Sequence, residues 1–172
     1  IAAFRALLTL CLLPAILLRA PSPSNELRYL SIADEALRDG HFFALYNQGE
    51  AYSDKPPLFF WVIMLCRSLF GSHLPWVLYI VLALIPSFCL IAVMDCWLRM
   101  ARREVTIVER LCCATLLATG FLFMGMSIFL RMDTLMALFI TLSLFTFWKL
   151  VTGNDTPRDI WLLPVYVFVA LF

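Results

Sequence analysis

The chain has 172 residues, of which 63% are hydrophobic and 15% charged, and its formal net charge is +1. Soluble globular domains average about half apolar and a quarter charged, so this composition excludes an ordinary soluble fold and indicates an integral membrane protein. The balanced charge and the lack of a concentrated Lys/Arg patch exclude a nucleic-acid binder.

Measured against the roughly 20 residues needed to cross a bilayer core, the apolar runs predict spans over about 1–18, 74–98, 109–130, 132–151 and 160–172. Pro14 lies inside the first span and Arg19 closes it, while Trp76, Trp97, Trp148 and Trp161 fall near span ends, where interfacial tryptophans collect. The six cysteines sit in or beside apolar runs without metal-type spacing and read as small hydrophobes. The chain begins at Ile1 rather than a methionine and stops at Phe172 within an apolar run, as a fragment would. A site built from several helices would then have members beyond Phe172.

Residues 19–73 form the long polar interruption. Ser22 or Ser24 can cap a helix that starts near Asn25 and ends before Gly40, a residue suited to the position past a helix end. At 100° per residue Glu26, Leu30, Ala33 and Leu37 share one face of it, so the Glu26 carboxylate heads an apolar stripe. Two readings of Glu26 compete: simple capping of the helix N-terminus, or an acid kept on a costly face because chemistry needs it. Arg28 and Tyr29 favour the second, since a guanidinium fork beside a phenol suits a phosphate.

Further along, Asp54 and Lys55 precede Pro56 and Pro57, which stiffen the backbone and hold the two charges in place; the competing reading is a solvated neighbour pair. The following run, Pro57 to Phe70, has too few residues for a usual crossing, carries Arg67 and ends at Gly71. It is expected to lie along the interface. With a cytoplasmic N-terminus, the basic loops holding Arg99, Arg102, Arg103, Arg110, Lys149 and Arg158 are then inside and residues 19–73 outside. If the run does cross, charge bias prefers the reverse. Arg131 and Asp133, between the third and fourth spans, emerge on the side of the polar loop in the first arrangement; there they either close over the Glu26 and Asp54 site or form a self-satisfied ion pair.

The order NELRY, amphipathic helix, GHF, YSDKPPLFFW, basic loop and LRMDTL resembles the first third of the protein O-mannosyltransferase family, most closely its bacterial branch, which includes the lipid A aminoarabinose transferases. The family patterns are DE.RY, EKPP..YW and a span carrying an aspartate, and the likeness covers nearly all of the chain. It implies an all-α integral membrane protein, a multi-span helix bundle of GT-C type with juxtamembrane helices in its first outer loop. It also implies a cytoplasmic-membrane glycosyltransferase, facing the periplasm or exterior, that passes a sugar from a polyprenyl-phosphate carrier to a lipid, glycan or protein acceptor with inversion.

Carried over by position, Arg28 and Lys55 engage the carrier phosphate with Tyr29 alongside; Arg131, where it closes over the same outer site, adds to this substrate-binding set. Asp54 matches an acid that in relatives can help hold a divalent metal, whose histidine ligands would lie beyond Phe172; no nucleotide or redox cofactor is implied. Where the family has paired acids this chain has Asn25 and Glu26, so Asn25 contacts substrate as an amide. Glu26, with Asp133, is left as the candidate catalytic acid, taking a proton if the acceptor is a hydroxyl. The competing function is a non-catalytic carrier or transporter of lipid-linked sugar, which would place broken helices and charges at the membrane midplane.

Overall fold

The computed structural model describes residues 2–102 and 104–171. Among them the chain forms α1 (Ala2–Leu18), α2 (Glu26–Asp39), a hairpin of β1 (Tyr46–Asn47) and β2 (Glu50–Ala51), α3 (Pro57–Phe70), α4 (Pro75–Tyr79), a π-helical segment (Ile80–Leu84), α5 (Ile85–Ala101), α6 (Ile107–Thr119), α7 (Phe121–Ile128), α8 (Asp133–Thr152) and α9 (Asp159–Leu171). Arg103, one of the basic residues expected on the inner side, lies outside the described residues, as do Ile1 and Phe172.

Residues 19–73 fold as a polar layer at one end of the bundle. Helix α2 ends where Gly40 takes φ 74°, and α3 where Gly71 takes φ 67°; these left-handed positions strain any residue bearing a Cβ. Pro57 opens α3 at a position that needs no intrahelical N–H donor. The hairpin pairs Tyr46 with Ala51 and Asn47 with Glu50 in antiparallel register. Its two turn residues, Gln48 and Gly49, both have positive φ, 57° and 83°, as a tight two-residue hairpin requires. Glu35 of α2 accepts hydrogen bonds from both turn amides, Gln48 N–H at 2.8 Å and Gly49 N–H at 2.9 Å, and so pins the hairpin tip. Trp61 of α3 donates Nε1–H to the Phe42 carbonyl at 2.6 Å and fixes the segment leading into it.

The apolar side of this layer is continuous with the bundle core. Tyr29, Leu30, Ile32, Ala33 and Ala36 of α2 pack with Phe59, Phe60 and Ile63 of α3 and with Leu78, Tyr79 and Leu82 of the following helix. Tyr29 meets the Phe59 and Phe60 rings edge-on, at 5.5 and 5.8 Å between centroids, the orientation that aromatic quadrupoles favour.

Two continuous helices, Pro75–Ala101 with 27 residues and Asp133–Thr152 with 20, are long and apolar enough to cross a membrane. The second rises about 30 Å at roughly 1.5 Å per residue, close to the thickness of a hydrocarbon core. Within the first, Pro86 has no N–H to offer the carbonyl four residues back and its ring crowds that turn. The helix answers with the wider π turn over Ile80–Leu84, in which Ile85 N–H reaches back to the Ile80 carbonyl. The stretch 109–130, expected as one span, is instead two helices broken at Gly120, whose ψ of 127° leaves the helical range. Threonine and serine side chains tie these pieces to the bundle: the Ser87 and Ser127 hydroxyls lie 2.8 Å apart, and Thr134 Oγ1 donates to the Met126 carbonyl at 2.9 Å. Hydroxyl bonds of this kind hold helices together where no hydrophobic drive separates protein from lipid. Leu144, Phe147, Trp161 and Val165 stay exposed along α8 and α9, as a lipid-facing surface allows.

The two ends of the bundle differ chemically. At one, Trp97 packs on Phe145 and Trp148, Arg110 pairs with Asp95, and Lys149 of α8 pairs with Asp159 of α9 at 2.5 Å. At the other lie the polar layer, the start of α4 and the start of α8. Arg19, just after α1, and Tyr79 of α4 both reach Glu26; the chain therefore enters and leaves the polar layer at the same end, and α3 does not pass through the bundle. Glu35→Ala is predicted to free the hairpin tip: limited proteolysis within residues 44–53 should speed up several-fold while cleavage elsewhere is unchanged.

Candidate functional site

Glu26 heads α2 with its side chain directed into the protein, and the residue is only 1% exposed. Its Oε1 accepts from Arg19 Nη2 at 2.5 Å and from the Leu130 backbone N–H at 2.6 Å; its Oε2 accepts from the Ser22 backbone N–H at 2.6 Å and from the Tyr79 hydroxyl at 3.3 Å. One carboxylate thus joins the exit of α1, the turn before α2, the helix beginning at α4 and the link between α7 and α8. Arg19 is held in turn by the Ile128 carbonyl at 3.1 Å, and its guanidinium lies 4.7 Å from the Tyr79 ring centre and 4.4 Å from that of Phe129. Neither Ser22 nor Ser24 caps α2 through its hydroxyl; the two hydroxyls lie 3.3 Å from each other, and the capping contact is reversed, with Glu26 accepting from the Ser22 amide.

Arg28 follows Glu26 by two residues, about 200° around the helix, and therefore points elsewhere. Its guanidinium carbon stands 5.8 Å from the Tyr29 ring centre and 5.9 Å from that of Tyr52, between two phenols, with Nη2 donating to Asn25 Oδ1 at 3.1 Å. Arg28 Nε and the Tyr52 hydroxyl are both buried and have no hydrogen-bond partner among the described residues. Burial pushes the Tyr52 hydroxyl pKa up, helped by Tyr29 and Asp54 and opposed by Arg28, so the phenol keeps its proton as a donor at neutral pH. Tyr52, Asp54 and Lys55 line a cavity of about 530 Å³ closed by the hairpin on one side and by Pro56 and Pro57 on the other. Asp54 is exposed, Lys55 is half-buried, and neither takes part in an ion pair among the described residues.

The structure therefore brings Asn25, Arg28 and Tyr29 together with Tyr52, the near neighbour of Asp54 and Lys55, and turns Glu26 to the opposite side of α2. Arg131 and Asp133 pair with each other at 2.6 Å. Their link to the rest is through backbone, because Leu130 N–H, one residue earlier, binds Glu26. No group of three or more His, Cys, Asp or Glu side chains that could hold a metal occurs among the described residues.

Arg19, Tyr79 and Tyr52 are the members that the sequence reading missed. Arg19 reads as the charged end of a span and Tyr79 as part of an apolar run, while Tyr52 lies inside a motif whose charges draw the attention. The available signal was that a buried acid needs a cation, and that Arg19 is the nearest one preceding it.

No family model and no solved structure matches the chain. It is similar to the undecaprenyl phosphate-alpha-4-amino-4-deoxy-L-arabinose arabinosyl transferase of Pseudomonas savastanoi pv. phaseolicola (strain 1448A / Race 6), with 38% identity over 50 residues. That stretch is 29% of this chain and 9% of the relative, so the chain matches a small part of the relative's length. Helical architecture, two membrane-length apolar helices and partial similarity to a polyprenyl-phosphate-dependent transferase agree at a coarse level.

Removing one member of a buried ion pair leaves its partners unsatisfied and costs about 3–5 kcal/mol. Glu26→Ala is accordingly expected to lower the thermal midpoint of the purified protein sharply. Tyr79→Phe, which removes one long hydrogen bond, should cost about 1 kcal/mol. Equal midpoints for Glu26→Ala and the parent protein would show that the four-donor hub is not formed.

Proposed function

We propose that the chain is the N-terminal part of a membrane glycosyltransferase that moves a sugar, with inversion, from a polyprenyl-phosphate carrier to a lipid, glycan or protein acceptor on the outer face of the cytoplasmic membrane. The observation that carries this reading is the arginine set between two tyrosines, with Arg28 Nε and the Tyr52 hydroxyl both buried and unpaired beside the cavity that bears Lys55. Two unsatisfied donors next to a cation are the complement of a phosphate oxygen. The partial similarity to an arabinosyl transferase whose name specifies an undecaprenyl phosphate donor supports the same chemistry.

In the reaction the bond between the anomeric carbon and the carrier phosphate oxygen breaks as an acceptor oxygen bonds to that carbon from the opposite face. The carrier leaves as a phosphate monoester with one more negative charge than the diester it was. Arg28 and Lys55 meet that developing charge, and the Tyr52 hydroxyl donates to the same group, so their contacts strengthen toward the transition state. A hydroxyl acceptor must lose its proton to a carboxylate; an anionic acceptor needs no base. Asp54 is the acid exposed to this cavity, whereas both Glu26 oxygens are engaged by donors. We therefore assign Glu26 to positioning: through Tyr79, Arg19 and Leu130 it sets α2, and hence Arg28, against the bundle.

The test uses the full-length protein in membranes supplied with a lipid-linked sugar pool. Tyr52→Phe and Lys55→Met should each lower transfer by about ten-fold or more, the scale of one lost charge-stabilising contact, while leaving the thermal midpoint within about 1 kcal/mol of the parent. Undiminished transfer by both variants would overturn the assignment.

A further inference from the structure

At the end of the bundle away from Glu26, a cavity of about 350 Å³ opens between α5 and α6, within the size range of small-ligand sites. Ile91, Met94, Trp97, Leu98 and Leu117 form its apolar wall, and Asp95 and Arg110 close its polar end. Arg110 places Nε and Nη2 on the two Asp95 oxygens at 2.7 and 2.8 Å, and Arg99 Nε approaches the same carboxylate at 3.4 Å. Two guanidiniums converge on one carboxylate, so these three side chains carry a surplus positive charge beside the cleft, which Asp95 and Arg110 line and Arg99 adjoins through Asp95. The Arg99 side chain is half exposed, and Arg110 keeps an exposed edge.

A soluble ligand would gain little from walls that offer it almost no polar group. A lipid gains from both parts: its chain fills the apolar cleft and its phosphate meets arginines at the depth where Trp97 marks the interface. We propose that this cleft seats one acyl chain of an anionic phospholipid, with the lipid phosphate bound by Arg99 and Arg110. Asp95 holds Arg110 in place for that contact and sets its fork toward the cleft mouth. The site is separate from the cavity lined by Tyr52, Asp54 and Lys55, so it does not rest on the glycosyl-transfer reading.

Phospholipids brominated on their acyl chains quench nearby tryptophan, and Trp97 lines the cleft. The full-length protein is reconstituted in phosphatidylcholine vesicles containing brominated phosphatidylglycerol or brominated phosphatidylcholine. Phosphatidylglycerol should quench the Trp97 component, identified by subtraction of a Trp97→Phe variant, at about ten-fold lower mole fraction, given the attraction of each basic side chain for an anionic surface. Arg99→Gln with Arg110→Gln should bring the two lipids to equal effect, and the exposed single variant Arg99→Gln should narrow the gap by several-fold should the double variant not fold. Equal quenching by both lipids in the parent protein, a preference that survives these substitutions, or no quenching of Trp97 at all would overturn the proposal; the last result would mean that another part of the polypeptide covers the cleft. Glycosyl transfer is not the readout, so failure here leaves the Arg28 assignment untouched.

Discussion

A carboxylate withdrawn from water costs several kcal/mol unless donors replace the solvent it loses, and Glu26 meets that condition with donors from four parts of the chain. Arg19 brings the charge, Ser22 and Leu130 bring backbone amides, and Tyr79 brings a hydroxyl. Each donor comes from a segment that must be in place before the others can be satisfied. The polar layer and the apolar bundle are thereby registered at one point, and the orientation of α2 follows. A buried carboxylate with four donors fixes geometry because its less satisfied alternatives are expensive, even though Arg19 Nε itself finds no partner among the described residues.

With that register set, the two faces of α2 divide the labour. The inward face carries Glu26 and the apolar residues that pack on α3; the other carries Arg28, whose guanidinium lies near the Tyr52 ring just after the hairpin. The hairpin is itself tied to α2 through Glu35, so Arg28, Tyr52 and the Asp54–Lys55 turn are held by contacts that do not involve a ligand. The opposite end of the bundle keeps its own charged cluster around Asp95, more than the length of a spanning helix away in sequence.

Much of this was legible in the chain. Gly40 and Gly71 mark the ends of α2 and α3 because only glycine enters the left-handed region without strain, and the shortness of the Pro57–Phe70 run already argued against a crossing. The nearness of Arg28 to Tyr52, two residues before Asp54, is set by the folding of the hairpin onto α2 and is not visible in local pattern. What local pattern could not supply was the partner of Glu26. Its four donors sit 4, 7, 53 and 104 residues away, the last two beyond any local pattern, and an acid at a helix start looks the same whether it faces solvent, substrate or a buried arginine. The break at Gly120 was hidden for a related reason: an apolar run has no periodic signal to show where it stops being one helix.

The central claim is that neighbouring residues of one helix do different work, Glu26 holding the fold and Arg28 binding phosphate. The most direct measurement is the thermal midpoint of the full-length protein, with and without a polyprenyl phosphate, for Glu26→Gln beside Arg28→Gln. The account predicts a low midpoint for Glu26→Gln, and for Arg28→Gln a near-normal midpoint that no longer rises with the lipid. A stable Glu26→Gln protein, or an Arg28→Gln protein that still gains the full ligand-induced rise, would contradict it.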